Sequence, residues 1–439
     1  MIKRLSMRFL ICGIMWVGLY TVQWEGHKNQ LVLPALILTG IVLLGSLLEQ
    51  VINYQGDPYI LPVVQAILAI GIVFVVRISP DSAVRQFWWV IIGQIIFYVV
   101  LLIIRDYRQL GKYRYLSGLL AVGLLLATLL FGFSAGGAKS WLRIAGIGIE
   151  PEEFVKLALL LFLTTYLEDN EELLRIGTVQ IGKYSLPDWR TMGPFMLIAI
   201  FVLGILAAQK SLGVALLFYL LFVLMLYVVT ERPIYLAIAV PIFLLTGTLG
   251  YKLFTHVRVR VSVWMNPWQD PSGMGYQIAQ SLFAIGGGGI LGTGLGNGIG
   301  AGSVPVASSD FIFSIIAEEL GFIGAMAVLL LFLFVVMRAF TVSLRAKDRF
   351  GQILAAGIAI LIGTETLIIL AGVTKLLPLT GIPLPWVSYG GSSIIVHFIL
   401  LGVLLNISNA TAVGNDKNIN VVRELGKQTK LKSAAKNNY

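Results

Sequence analysis

Runs of about 20 apolar residues recur along the whole chain, and nothing constrains its fold more. A stretch of that length crosses the hydrocarbon core of a bilayer as a single helix. The runs fall near residues 8–24, 31–48, 60–77, 87–104, 116–134, 154–168, 194–208, 211–229, 233–250, 312–337, 352–374 and 391–408. About twelve spans describe an all-α polytopic membrane protein. With 57% hydrophobic and 12% charged residues in 439, a soluble globule is excluded. The first run follows Lys3, Arg4 and Arg8 without a small-residue cleavage site, so it reads as a retained span.

The net charge of +10 carries no nucleic-acid signal, because the basic residues cluster between apolar segments. One cysteine, Cys12, rules out a disulfide framework or a cysteine-based metal site. His27, His256 and His397 are scattered, and His397 reads as a packed or hydrogen-bonded helix residue. Orientation follows from the loops. Arg105, Arg108, Lys112 and Arg114 follow the fourth span, and Arg338, Arg345, Lys347 and Arg349 the tenth. The tail carries Lys417, Arg423, Lys427, Lys430, Lys432 and Lys436. An even span count puts all of these with both termini in the cytoplasm, and 135–152, 254–310 and 375–390 outside. The tail, 409–439, is expected to be disordered and weakly attracted to the membrane surface.

The three outer segments hold the polar chemistry. The longest, 254–310, starts with Arg258 and Arg260 and continues Trp264-Met265-Asn266-Pro267-Trp268-Gln269-Asp270-Pro271. Prolines on both sides of Asp270 predict a fixed, non-helical backbone there, against the plain reading of a solvated interfacial loop. Gly286 to Gly302 lacks a preceding strand and is no nucleotide fingerprint; it predicts flexible or close-packed backbone near a ligand. Asp310 can cap the next helix, while Glu318 and Glu319 are too deep for that and point to a polar interior.

In the segment 135–152 the chain re-enters at Glu150-Pro151-Glu152-Glu153-Phe154-Val155-Lys156. Pro151 and the acids suit a helix start, and Glu153 and Lys156 share a face at i, i+3. Gly137-Ala138-Lys139-Ser140 is no phosphate loop. Lys210 reads as a snorkelling cation between two spans. The segment 375–390, with Pro378, Gly381, Pro383 and Pro385, predicts a re-entrant loop.

Taken in order, these motifs resemble the SEDS proteins (shape, elongation, division and sporulation), the FtsW, RodA and SpoVE group of peptidoglycan polymerases. The resemblance rests on Gly137-Ala138 with Trp141, Pro151, Glu153 and Lys156; on Asn266 to Pro271 with Tyr276, Gln277, Gln280 and Ser281; on Asp310-Phe311-Ile312-Phe313 with Glu318-Glu319-Leu320-Gly321; and on Pro378 to Gly381 with Leu384, Pro385 and Ser388 to Ser393. It covers about residues 60 to 408. It implies a ten-span core over 59–408, with two additional spans in 1–58 that show no evident chemistry.

The resemblance implies glycosyl transfer from lipid II at the outer face of a bacterial plasma membrane, with a class B penicillin-binding transpeptidase as partner. A sugar hydroxyl is a poor nucleophile, and Asp270 aligns with the family's essential loop aspartate as the candidate base. Arg260 is the best aligned cation for the leaving pyrophosphate, with Arg258, Lys156, Lys210 and Lys375 as further candidates. Glu153, Trp141, Gln277, Gln280 and Ser388 complete the expected substrate-binding set. A divalent cation, Mg or Mn, is a possible cofactor without a clear ligand cluster. The chain departs from the family pattern at Ser140 (usually Arg), Glu150 (usually Gln), Glu152 (usually small) and Ser211 (often Asp), which predicts a more acidic outer entrance. A lipid II flippase and a non-catalytic scaffold for the transpeptidase are the rival readings.

Overall fold

The computed structural model describes residues 2–436 apart from 23–27, 105, 136–137, 145, 178 and 182–183. His27, Arg105 and Gly137 therefore lie outside the described residues, as do the side chains from Gly414 onward. The helices are α1 Ile2–Thr21, α2 Lys28–Val51, α3 Ile60–Ile78, α4 Pro80–Ile103, α5 Arg114–Phe131, α6 Pro151–Ile176, α7 Trp189–Ala208, α8 Leu212–Thr230 and α9 Ile234–Leu253. Next come α10 Thr255–Met265, α11 Tyr276–Gly288 and the single turn α12 Gly300–Ser303. Then come α13 Ile312–Arg345, α14 Arg349–Val373 and α15 Gly391–Lys436.

Ten of the described helices are long and apolar enough to cross a membrane, and α1 adds a shorter apolar stretch, Leu5–Thr21. Helix α6 has 26 residues, about 39 Å, with its charges at the two ends and a buried apolar middle from Ala158 to Leu163. Each of the twelve expected spans thus falls on a helix, ten of them long and apolar enough to cross. Caps set the helix limits. Asp188 and Asp348 accept the Thr191 and Gly351 amides at 3.1 and 2.9 Å, and Pro151 opens α6 where its missing N–H costs nothing.

The backbone of α15 continues to Lys436, where the composition predicts a disordered tail. That stretch lacks proline, and its five lysines and four alanines favour a helix.

The face away from the 254–311 segment is closed by ion pairs. Arg349 holds Glu171 through two contacts of 2.6 Å, Arg338 pairs with Asp57, and Arg108 and Tyr107 meet Asp348. The first two helices are not bare apolar rods as the sequence suggested. Arg8 is fully buried, pairs with Glu49 of α2, and its Nη1 donates to the Val42 carbonyl at 3.3 Å. The charge lies inside α1 because that helix already starts at Ile2.

On the opposite face, β1 Phe133–Ala135, β2 Ala138–Ile144 and β3 Ile147–Ile149 form an antiparallel sheet in the order β1-β2-β3 over the entry to α6. A second hairpin, β4 Val179–Ile181 with β5 Tyr184–Leu186, follows α6 at its other end.

Helix α13 breaks at Gly321, whose φ of 68° and ψ of −173° lie outside the helical region. The amides freed around the break bond to the glycine segment: Phe322 to Gly289 O at 2.9 Å and Ile323 to Ile290 O at 3.2 Å. Thr293 and Gly294 donate in return to Glu318 O and Glu319 O, both at 3.0 Å. Helix α9 is the outlier of the bundle. Only Tyr235 and Ala239 are buried, and residues 240–249 are exposed on every side. An apolar helix exposed all round needs lipid around it.

Candidate active site

Helix α10 carries the first cations of the site. Residues 255–265 form a regular helix where the sequence reads as loop, and Arg260 leans from it against the 374–390 segment, donating to Leu379 O at 3.3 Å. Trp264 Nε1 donates to Lys375 O at 3.1 Å, so two side chains of α10 grip that segment. Arg260 also faces Asp310, which accepts the Ser309 hydroxyl at 2.9 Å. Burial pushes the Asp310 carboxyl above its usual range, against the pull of Ser309 and Arg260. Burial likewise lowers the Arg260 guanidinium, with Asp310 acting the other way.

The 374–390 segment has no regular helix, as the prolines predict. Ser388 fastens it. Its hydroxyl donates to Ser309 O and accepts the Leu384 amide at 2.9 Å, while Tyr389 N donates to Ser308 O at 2.8 Å. Ser388 is buried in this role, so it shapes the site rather than facing substrate. Glu150 enters from the α6 side, its amide donating to Ser392 Oγ at 3.1 Å. Burial, then the charges of Glu153 and Glu152, raise its carboxyl to about 8, with Asp310 adding to the rise. At neutral pH Glu150 is therefore mostly protonated and sheds the extra negative charge expected of this departure.

A histidine that sequence reasoning set aside stands beside the cations as a neutral imidazole. His256 on α10 is half-buried, its Nε2 has no partner, and Lys210 and Arg260 both press on its charge. Burial lowers its affinity for a proton first, and the two cations lower it further. Lys210 is exposed, with φ 63°, at the tight turn between α7 and α8. The next residue, Ser211, donates to Glu152 Oε2 at 2.8 Å. Two of the four departures thus contact each other: the acid often found in the hairpin stands on α6 instead.

Asp270 lies apart from the cations. After the 3₁₀ turn Pro267–Gln269 it is exposed, and its Oδ2 accepts the Met274 amide at 2.9 Å. No ion pair among the described residues joins Asp270 to Arg258 or Arg260. Arg258 is exposed and donates to Lys252 O at 3.2 Å. Lys375 is half-buried with φ 61°. Gln277 and Gln280 are half-buried on α11, and Trp141 stays within the outer sheet, paired with Phe133 in register.

Glu153 and Lys156 lie inside the bundle rather than at its mouth. Lys156 Nζ donates to Glu153 at 2.7 and 2.8 Å and to Glu365 at 2.7 Å, which occupies all three of its hydrogens. It has no exposed surface with which to meet substrate. Glu365 was missed, although a lone carboxylate in an apolar span is itself a signal. Glu318 and Glu319 are buried and spent on contacts within the protein. Glu318 accepts the Ile299 and Gly300 amides at 2.9 Å, while Glu319 pairs with Arg77 at 3.0 Å and accepts the Gly296 amide at 2.8 Å. The acids thus pin the glycine segment, whose Gly292, Gly294 and Gly296 all have positive φ.

Comparisons with known proteins agree with this geometry. The family model for cell cycle proteins of the FtsW, RodA and SpoVE type matches residues 59–412, leaving α1 and α2 outside it. The chain is similar to the Mycobacterium bovis peptidoglycan glycosyltransferase RodA, at 38% identity over 80% of this chain and 78% of that one. It is also similar to the probable peptidoglycan glycosyltransferase FtsW of Geobacter metallireducens, at 35% identity over 80% and 94%. Among solved structures, a chain from a work on structural coordination of polymerization and crosslinking by a peptidoglycan synthase complex aligns with a TM-score of 0.66. Its identity is 25%, over 81% of this chain and 98% of that one. The Thermus thermophilus rod shape determining protein RodA aligns with a TM-score of 0.57 at 25% identity, over 81% and 97%.

Proposed function

The chain belongs to the FtsW/RodA/SpoVE family, and we propose that it is a peptidoglycan glycosyltransferase polymerising lipid II at the outer face of a bacterial plasma membrane. The observation that carries this reading is the pair of cations Arg260 and Lys210, with the uncharged imidazole of His256 beside them, at the outer end of α9. A pyrophosphate held there would have its lipid tail beside the exposed outer half of α9, already in contact with the membrane interior.

In the proposed reaction the 4-hydroxyl of an acceptor sugar attacks the anomeric carbon of the lipid-linked glycan. The bond from that carbon to the pyrophosphate oxygen breaks, and undecaprenyl pyrophosphate leaves. Asp270 takes the hydroxyl proton. Among the described residues only its Oδ2 accepts a hydrogen bond, so a lone pair of Oδ1 is available without breaking a contact. Arg260 and Lys210 stabilise the charge that gathers on the leaving oxygens. Among the described residues no three His, Cys, Asp or Glu side chains come together as metal ligands, so a Mg or Mn ion in this proposal would be held largely by the pyrophosphate itself.

The cytoplasm lies, in this proposal, on the face of Arg108, Arg338 and Arg349, with both chain ends. Similarity to a chain of a peptidoglycan synthase complex supports a class B penicillin-binding transpeptidase as the partner.

Strand formation from purified lipid II tests the reading, using wild type and Asp270→Ala with a transpeptidase that lacks a glycosyltransferase module. Loss of general-base help is expected to cost roughly 10²–10⁴-fold. Equal strands from both proteins would end the Asp270 mechanism. No strands from folded wild type would favour the flippase or scaffold.

A further inference from the structure

We propose that Glu365 and His397 are positioning residues of this enzyme, a buried carboxylate–imidazole pair that shares one proton and thereby holds Lys156 and the entry of α6 in place. The role presupposes the polymerase reading above. Four ionisable side chains from three helices form one closed chain: Glu153 and Lys156 on α6, Glu365 on α14 and His397 on α15. Lys156, Glu365 and His397 have no exposed surface, and the Glu153 side chain retains 3%.

The hydrogen bonds fix the proton count. His397 Nδ1 lies 2.7 Å from Ser393 O and 3.2 Å from Ser393 Oγ; the shorter contact is to a carbonyl that can only accept, which favours a hydrogen on Nδ1. Nε2 lies 3.1 Å from Glu365 Oε2, and that contact also needs one hydrogen, on either atom. Trp386 packs edge-on against the ring with centroids 5.3 Å apart and supplies no further acceptor. Without that hydrogen, Glu153 and Glu365 would outnumber Lys156 and leave a net negative charge in an apolar interior. Such a charge is strongly disfavoured. With it, the set is neutral and every donor of Lys156 is used.

The chain lies directly beneath the candidate site. The same α15 that carries His397 accepts the Glu150 amide through Ser392, and the segment leading into it holds Ser309 through Ser388. A shift of α6 against α15 would therefore change how Glu150 meets Asp310 and Arg260.

Charge balance makes an asymmetric prediction that packing alone does not. Glu365→Gln keeps the shape and removes the need for the proton but weakens the hold on Lys156, so strand formation should fall, though by less than in His397→Phe. His397→Phe keeps a ring against Trp386 but leaves Glu365 without its donor, so kcat should fall by roughly tenfold or more at unchanged KM. Adding Glu365→Gln to His397→Phe should bring activity back towards that of Glu365→Gln alone. The assay uses the full chain with its transpeptidase and lipid II. A double variant as inactive as His397→Phe overturns the proposal, as does full activity in His397→Phe alone. If wild type makes no strands, the polymerase reading fails, and the thermal midpoints of the same proteins still decide the pairing. A drop in His397→Phe that the second substitution reverses supports it, and a drop without reversal overturns it.

Discussion

Glu150 shows how one side chain can look wrong in sequence and act conventionally in place. Its carboxyl is held near 8, so at neutral pH it offers the same kind of hydrogen-bonding neutral group as the glutamine expected there. The sign of its linkage follows. The folded state binds this proton more tightly than the unfolded chain, whose carboxyl titrates near 4.5. Its contribution to stability is complete below that value and is lost as pH rises towards about 8. The thermal midpoint of wild type should therefore fall over that window, and the fall should shrink in Glu150→Gln, measured by unfolding in detergent at a series of pH values. Asp310, also raised by burial, acts in the same direction and remains in the variant. Asp270, Arg260 and Lys210 were legible because they sit in polar segments between spans. Glu365 and the pairing of Glu152 with Ser211 were not, because both join residues more than 50 positions apart.

At the scale of elements, the break in α13 and the glycine segment are one structure. Gly321 needs its positive φ, and a Cβ there would run into the backbone of Ile290, Leu291 and Gly292. Gly321→Ala is expected to cost more than about 1 kcal/mol, because it combines backbone strain with a backbone collision. Hydrogen exchange gives the sharper check. Amides 289–300 should lose protection while those of α14 keep theirs. Protection unchanged at 289–300 would show that the break does not hold the segment. Each expected span falls on a helix because hydropathy reports burial in lipid. It sets the ends poorly, as at α4, α6 and α13, which run seven or eight residues beyond the apolar stretch. It missed α10, α11 and the β1-β2-β3 sheet, because polar outer segments carry no such signal. The glutamates at 318 and 319 misled for a related reason. Depth along a helix says nothing about whether a backbone turn folds back to meet the side chain.

For the molecule as a whole, the matched family region begins at residue 59, yet α1 and α2 are joined to the core by more than apolar contact. The buried Arg8–Glu49 pair lies beside Tyr98 of α4, and the turn after α1 approaches Gly296 of the glycine segment. The extra helices thus touch the layer that carries the site without entering it. Apolar periodicity could count them, but not reveal that attachment, since Arg8 reads as a flanking charge until the helix start is known.

Helix α9 gives the bundle a different property. Residues 240–249 of its outer half are exposed, with Phe243 against Tyr219 of α8 as a ring contact, so little protein fixes its tilt. At 20 residues, about 30 Å, the helix is close to the thickness of the hydrocarbon core. A helix so placed answers to bilayer thickness by leaning, and α10 rides on its outer end with Arg260 and His256. The reach of those side chains is then partly a property of the acyl-chain length of the host membrane. Strand formation in proteoliposomes of graded acyl-chain length would register this as an optimum, and a flat profile would show α9 to be held by something other than lipid.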